Sequence, residues 1–148
     1  MRSQPDNQDR MDHSSLPPPS QDVIQRFDSE VSWYIGHVRS LAMTPEECCA
    51  DQGNYLVAGE LFYFLLQPTS LLTDPSMPLS AEQKTAIEVL RQSVRSVPLE
   101  ARSGGPNAAA SLKDMQHPSW ELPRQSAANV LAVLAPLLEA RAAWGMVP

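Results

Sequence analysis

Apolar residues return at three- and four-residue steps over most of the chain, and that spacing predicts helices rather than strands. Ile24, Phe27, Val31, Tyr34, Ile35, Val38, Leu41 and Ala42 form one stripe, so a first helix is expected from about Asp22 to Ala42. Asp22, Arg26 and Glu30 follow one another at i, i+4 on another face and read as mutually paired surface charges.

Thr44-Pro45-Glu46-Glu47 is the clearest local signal. Threonine caps, proline suits the first helical position, and a glutamate three residues after the cap completes a capping box. A second helix is expected from Pro45 to about Leu66, loosened near Gly53. Its second half, YLVAGELFYFLL, is apolar nearly all round, which makes residues 45–67 the central core element.

Residues 68–79 hold three prolines and read as a loop, with Leu71 and Leu72 packed down. A second capping box, Ser80 to Gln83, opens a third helix. Gln83, Ile87, Leu90, Val94 and Val97 make its inner stripe, and Lys84, Glu88, Arg91 and Arg95 its solvent face. Pro98 ends it, and residues 99–107 form a flexible connection. Asn107 caps a short helix through Met115. After the break at His117-Pro118-Ser119-Trp120, a last helix runs from Pro123 or Arg124 to Trp144. Ala127, Val130, Leu131, Leu134, Leu137 and Leu138 point inward, and Pro136 kinks it.

The expected fold is therefore an all-α bundle of four main helices plus a short fifth. It is a single domain over residues 20–148, behind a disordered, proline-rich tail at 1–19. That tail has too little apolar surface to offset the entropy of ordering. Either Met1 or Met11 can serve as the start.

Composition sharpens this picture. At 148 residues and 43% hydrophobic the chain can build one core. The net charge is −6, unevenly spread. Residues 22–67 set two arginines against seven acids, a net −5, while residues 80–148 set seven basic groups against six acidic ones, a net +1. An acidic surface repels phosphate backbones and anionic bilayers, so neither nucleic acid nor a membrane is an expected partner. A basic protein is what it attracts. No apolar run reaches the roughly 18 residues of a spanning helix, and residues 1–19 lack the apolar stretch of a secretory signal. Cys48 and Cys49 are adjacent, which does not suit disulfide geometry. Reduced thiols and a cytoplasmic location follow as expectations.

Candidate chemistry is sparse. Cys48 and Cys49, with His37 or His117, offer nucleophile and metal chemistry. However, Glu46, Glu47 and Asp51 surround the thiols and oppose ionisation, and the spacing matches no zinc pattern. One cysteine is expected in the core and the other at the surface. Glu60 lies in the most apolar segment, yet Glu46, Gly53, Glu60 and Gln67 recur every seven residues and trace a narrow solvent face. Tyr55, Phe62, Tyr63 and Phe64 serve a core or line a pocket. Trp120 seals the last helix or sits at an interface.

Phosphate loops, metalloprotease helices, nucleophile elbows and calcium loops are all missing from the sequence. No catalytic, cofactor or metal site is assigned. The expected function is a non-enzymatic protein-binding module, with Glu46, Glu47, Asp51 and Trp120 as partner-binding residues. One form of it is an inhibitor or immunity-type protein that masks a basic toxin. Small acidic helical domains are common among bacterial immunity proteins and adaptors, a similarity of class with no motif behind it. Two other classes stay open. One is a small-ligand binder or thiol-dependent enzyme built on the aromatic helix, and the other is a homodimeric structural or adaptor protein.

Overall fold

The computed structural model describes residues 21–67, 70–75 and 79–143. The tail at 1–19 with its two start candidates, the Ile24 side chain and Trp144 lie outside the described residues. In chain order the helices are α1 (Gln21–Ala42), α2 (Pro45–Asp51), α3 (Val57–Leu66), α4 (Ser70–Thr73), α5 (Ala81–Arg95), α6 (Ala108–Met115) and α7 (Glu121–Ala143). Two 3-10 turns, Leu99–Ala101 and Pro118–Trp120, flank α6. There is no strand among the described residues, and the fold is all-α.

α1 buries the stripe its spacing predicts: Phe27, Val31, Tyr34, Ile35, Val38 and Leu41 all reach the core. The chain then turns at Met43 and restarts on the expected capping box. The Glu47 N–H donates to Thr44 Oγ1 and the Thr44 N–H donates to Glu47 Oε1, both at 3.2 Å. Replacing Thr44 with alanine leaves the Glu47 amide without its cap and is expected to cost about 1 kcal/mol in urea denaturation. An unchanged midpoint would mean that water caps the helix as well as the hydroxyl does.

The single helix expected over 45–66 is two helices. α2 ends at Gln52 in a Schellman turn. The Gly53 N–H donates to the Ala50 carbonyl and the Asn54 N–H reaches back to that of Cys49, with Gly53 at φ +86°. Asn54 and Leu56 also take positive φ, at 58° and 49°. An αL leucine is costly, and no local side chain caps the helix it precedes. Its reward is non-local: Val57 and Ala58 become fully buried, and the Val57 N–H finds the Ser111 hydroxyl of α6 at 3.4 Å. The break lets α2 lie against α1 and α6 while α3 lies against α5.

The centre of the bundle also differs from expectation. The most extensive helix contacts are those of α7 with α5 and with α1. Ala127, Val130, Leu134 and Leu137 supply that face, joined by the half-buried Leu131 and Leu138. α7 begins at Glu121, directly after the 3-10 turn, and continues through Pro136 to Ala143. Pro136 withholds a donor from the Ala132 carbonyl, but both residues are on the exposed face, where water can replace it.

α5 starts on the Ser80–Gln83 box and buries Ile87, Leu90 and Val94, with Val97 just beyond it. Arg91, expected in solvent, is half-buried. Its Nε donates to the Leu66 carbonyl at 2.8 Å and so caps the end of α3. Leu71 is fully buried from within α4, a single turn of helix in the expected loop.

The 99–107 connection is likewise anchored. Ala101 is fully buried, and the Gly104 N–H donates to the buried carboxylate of Asp114 at 2.9 Å. A Cβ at Gly104 would stand 2.7 Å from Asp114 Oδ1 and 2.9 Å from the Ala110 carbonyl oxygen, so only glycine lets this strap approach α6.

Candidate functional site

The three acids of α2 are all exposed. Glu47 is occupied by its cap, Glu46 accepts a long 3.4 Å bond from Gln116 Nε2, and none of the three has a lysine or arginine partner among the described residues. They crowd onto one short helix whose inner side is fixed by the cysteines. Their placement at the surface follows from that anchoring, since α2 has a neighbour on each of its other sides.

Both cysteines are buried, which differs from the expected split of one core and one surface residue. Cys48 faces α1, where the Ser40 hydroxyl lies 3.9 Å from its sulfur. Cys49 faces α6 and forms one wall of a small pocket of about 290 Å³ with Glu46, Asn54 and Leu112. The residues are neighbours in sequence, but α2 is wedged between two helices, so both of its adjacent sides are interior. Burial pushes the Cys48 thiol up from 9.0 to about 11. Burial raises Cys49 as well, helped by the negative charges of Glu46 and Asp114. A thiol held protonated is a poor nucleophile and a poor ligand.

His37 and His117 are engaged with other groups: His37 Nδ1 lies 2.9 Å from the Trp33 carbonyl oxygen, and His117 holds the turn that follows α6. His117 Nδ1 accepts the Ser119 N–H at 3.1 Å and lies 2.8 Å from Ser119 Oγ, while Nε2 lies 3.2 Å from Glu100 Oε2. Serine, histidine and carboxylate stand here in the order of a nucleophilic triad. The arrangement instead caps the Pro118–Trp120 turn: the backbone already uses the Nδ1 lone pair. The Glu100 side chain, 76% exposed, is too hydrated to hold a base in place. Among the described residues, no group of three or more His, Cys, Asp or Glu side chains is placed to hold a metal ion. No described helix is long and apolar enough to cross a membrane.

Trp120 is fully buried, and its indole N–H donates to the Ala101 carbonyl at 2.9 Å. It seals the start of α7 onto the 99–101 turn and presents no surface to a partner in this conformation. Glu60, Gln67 and Gly53 are exposed with Glu46, so the seven-residue stripe does face solvent even though the helix breaks within it.

Of the aromatics expected in a core or a pocket, Tyr55 and Tyr63 are exposed, and Tyr63 and Phe64 belong to an aromatic surface patch with Trp33, which the sequence reading does not single out. Trp33 and His37 on α1 meet Tyr63 and Phe64 on α3. Phe64 is the pedestal. Its ring lies 5.1 Å from Trp33 in an edge-to-face contact, 5.1 Å from His37 and 5.3 Å from Tyr63. Trp33 remains 46% exposed and Tyr63 59%. One signal was present in the sequence. Trp33 lies outside the apolar stripe of α1, and a large aromatic off the buried face needs a separate reason. On the far side of the bundle, α5 and α7 enclose a shallow apolar groove of about 450 Å³ with Val89 and Leu122 exposed on its rims. Its one charged group, Glu88, already accepts from Arg91 and Gln92, so this groove adds nothing to a charge-based recognition.

No protein-family model, curated protein or solved structure matches the chain.

Proposed function

We propose that the chain is a non-enzymatic protein-binding module for a basic partner, in its most concrete form an inhibitor or immunity-type protein that masks a basic toxin. One observation carries the reading. Glu46, Glu47 and Asp51 stand exposed on one short, rigidly anchored helix with no cationic partner among the described residues. Fixed, hydrated acids cost the monomer little, and they steer a cationic surface toward the helix. The thiol-enzyme alternative has the Cys49 pocket in its favour. Against it stands the protonated state in which burial and neighbouring acids hold that thiol. The same reading has the protein work in the cytoplasm, where its two free thiols stay reduced.

Charge reversal tests it. The wild-type chain captures its partner from host lysate, and association of the purified pair is then followed at low and moderate salt. The double variant Glu46→Lys, Asp51→Lys is expected to associate about tenfold more slowly at low salt and to show a flatter salt response, because rim charges act mainly on the encounter. A folded double variant with unchanged kinetics would remove α2 from the interface.

A further inference from the structure

Two large aromatic side chains half in water, propped by a third, are not needed by the core that α1 buries on its other side. We propose that the Trp33–His37–Tyr63–Phe64 patch is where an arginine-bearing segment of a basic partner protein docks. The guanidinium stacks on Trp33 and Tyr63, and its charge is met by Glu30 and Glu60. The proposal rests on the basic-partner reading above and names a contact surface for it.

Charge complementarity selects this occupant. Glu30 lies one helical turn before Trp33, and Glu60 one turn before both Tyr63 and Phe64, so each carboxylate shares a face with the rings. Neither is in an ion pair among the described residues. The nearby cation of α1, Arg26, is bound to Asp74. Arg39, six residues beyond Trp33, projects from another side of the helix. The patch therefore joins exposed π-faces to two carboxylates that are in no ion pair among the described residues, which suits a guanidinium: planar, weakly hydrated and able to stack and pair at once. α3 already accepts one such stack on its inner side, where the Arg102 guanidinium lies 3.7 Å from the centroid of Phe62.

Order in the free state adds to the case. Phe64 touches all three other rings, so Trp33 and Tyr63 are held before anything binds, and little rotamer freedom remains to be lost. A second copy of the chain fits less well. A two-fold contact through this patch sets Glu30 and Glu60 against their own symmetry mates in a chain of net charge −6. Residues 1–20 fit no better, with two arginines against three aspartates.

The test uses the full chain and three capped peptides of equal length, in which glycine and serine space three arginines, three lysines or three glutamines. Binding is followed by NMR, with the Trp33 indole signal assigned from Trp33→Phe. The expected result is shifts centred on Trp33, Tyr63 and Glu60, with the arginine peptide bound about fivefold more tightly than the lysine peptide and the glutamine peptide not bound. Tyr63→Ala, and separately the pair Glu30→Gln, Glu60→Gln, should each weaken the arginine peptide about fivefold without changing the thermal melt. Equal binding of arginine and lysine peptides with shifts confined to α2 overturns the patch and leaves the acidic-surface reading standing. Absence of binding by either cationic peptide to the folded chain overturns both. Shifts at Trp33 that grow with protein concentration alone, or cross-peaks to it from residues 1–20, also overturn the proposal, since another occupant then holds the patch.

Discussion

Trp120→Ala is expected to remove about 3–5 kcal/mol of stability, a large share of the 5–15 kcal/mol typical of a domain this size. Three losses coincide at this residue. The indole is fully buried, so its removal opens a cavity that rigid helices cannot close. Its N–H no longer reaches the Ala101 carbonyl, itself in a fully buried residue, which leaves an acceptor without a partner. The 3-10 turn it closes leads without a break into α7, the helix with the most extensive contacts to α1 and α5. Trp120→Phe separates these terms: most of the volume stays and the hydrogen bond goes, for an expected loss of about 1–2 kcal/mol. Urea denaturation of the two variants measures both. If the alanine variant lost less than about 1 kcal/mol, Trp120 would not be the seal between the 99–101 turn and α7. The phenylalanine variant also bears on function, because a buried seal predicts undiminished partner binding once the protein is folded.

What the sequence disclosed and what it withheld divide along the range of the forces involved. The starts of α2, α5 and α6 were legible because their caps are local: Thr44 with Glu47, Ser80 with Gln83, and Asn107 with the amide of Ala110. The stripe of α1 was legible because burial follows the 3.6-residue period. The start of α3 was not. Leu56 has neither the conformation nor the chemistry of a cap, and the Val57 amide is satisfied by Ser111, 54 residues away. That both cysteines are buried was not legible for the same reason, since α2 is wedged between α1 and α6, and α6 lies far from it in sequence. Arg91 reads as a surface charge until α3 supplies the Leu66 carbonyl for it to cap.

The candidate surface divides in the same way. The acids of α2 are readable as charges in the sequence, whatever they bind. The aromatic patch is readable only as the odd placement of Trp33, because Trp33 and Phe64 are 31 residues apart and become neighbours only when α1 and α3 pack. The recognition proposed above thus combines a feature written locally with one that exists only in the folded state. Their separate tests, charge reversal on α2 and truncation at Tyr63, report on different elements.

Alkaline pH should destabilise the protein through Cys48, and the sign follows from where the proton is held. Burial raises the folded-state pKa of this thiol from 9.0 to about 11, a trend the Ser40 hydroxyl and the Arg124 charge oppose only in part. In the unfolded chain the thiol ionises as pH passes its ordinary value. In the folded chain it keeps its proton for about two further pH units. The folded state therefore binds more protons in that window, and stability falls as pH rises. The contribution is intact below pH 9.0 and is lost by about pH 11. At 1.36 kcal/mol per unit this amounts to about 2–3 kcal/mol. Cys49 is raised too, and burial also raises the Tyr34 hydroxyl, so the total alkaline loss exceeds the share of Cys48. The share is isolated by difference. Urea denaturation of the wild type and of Cys48→Ala is compared at about pH 8 and about pH 11. The variant begins less stable, because it loses a buried sulfur, but it should lose about 2–3 kcal/mol less between the two pH values. Equal losses in the two proteins would show that the Cys48 thiol ionises as readily in the fold as out of it. The buried-thiol argument against the enzyme alternative would then fall with it.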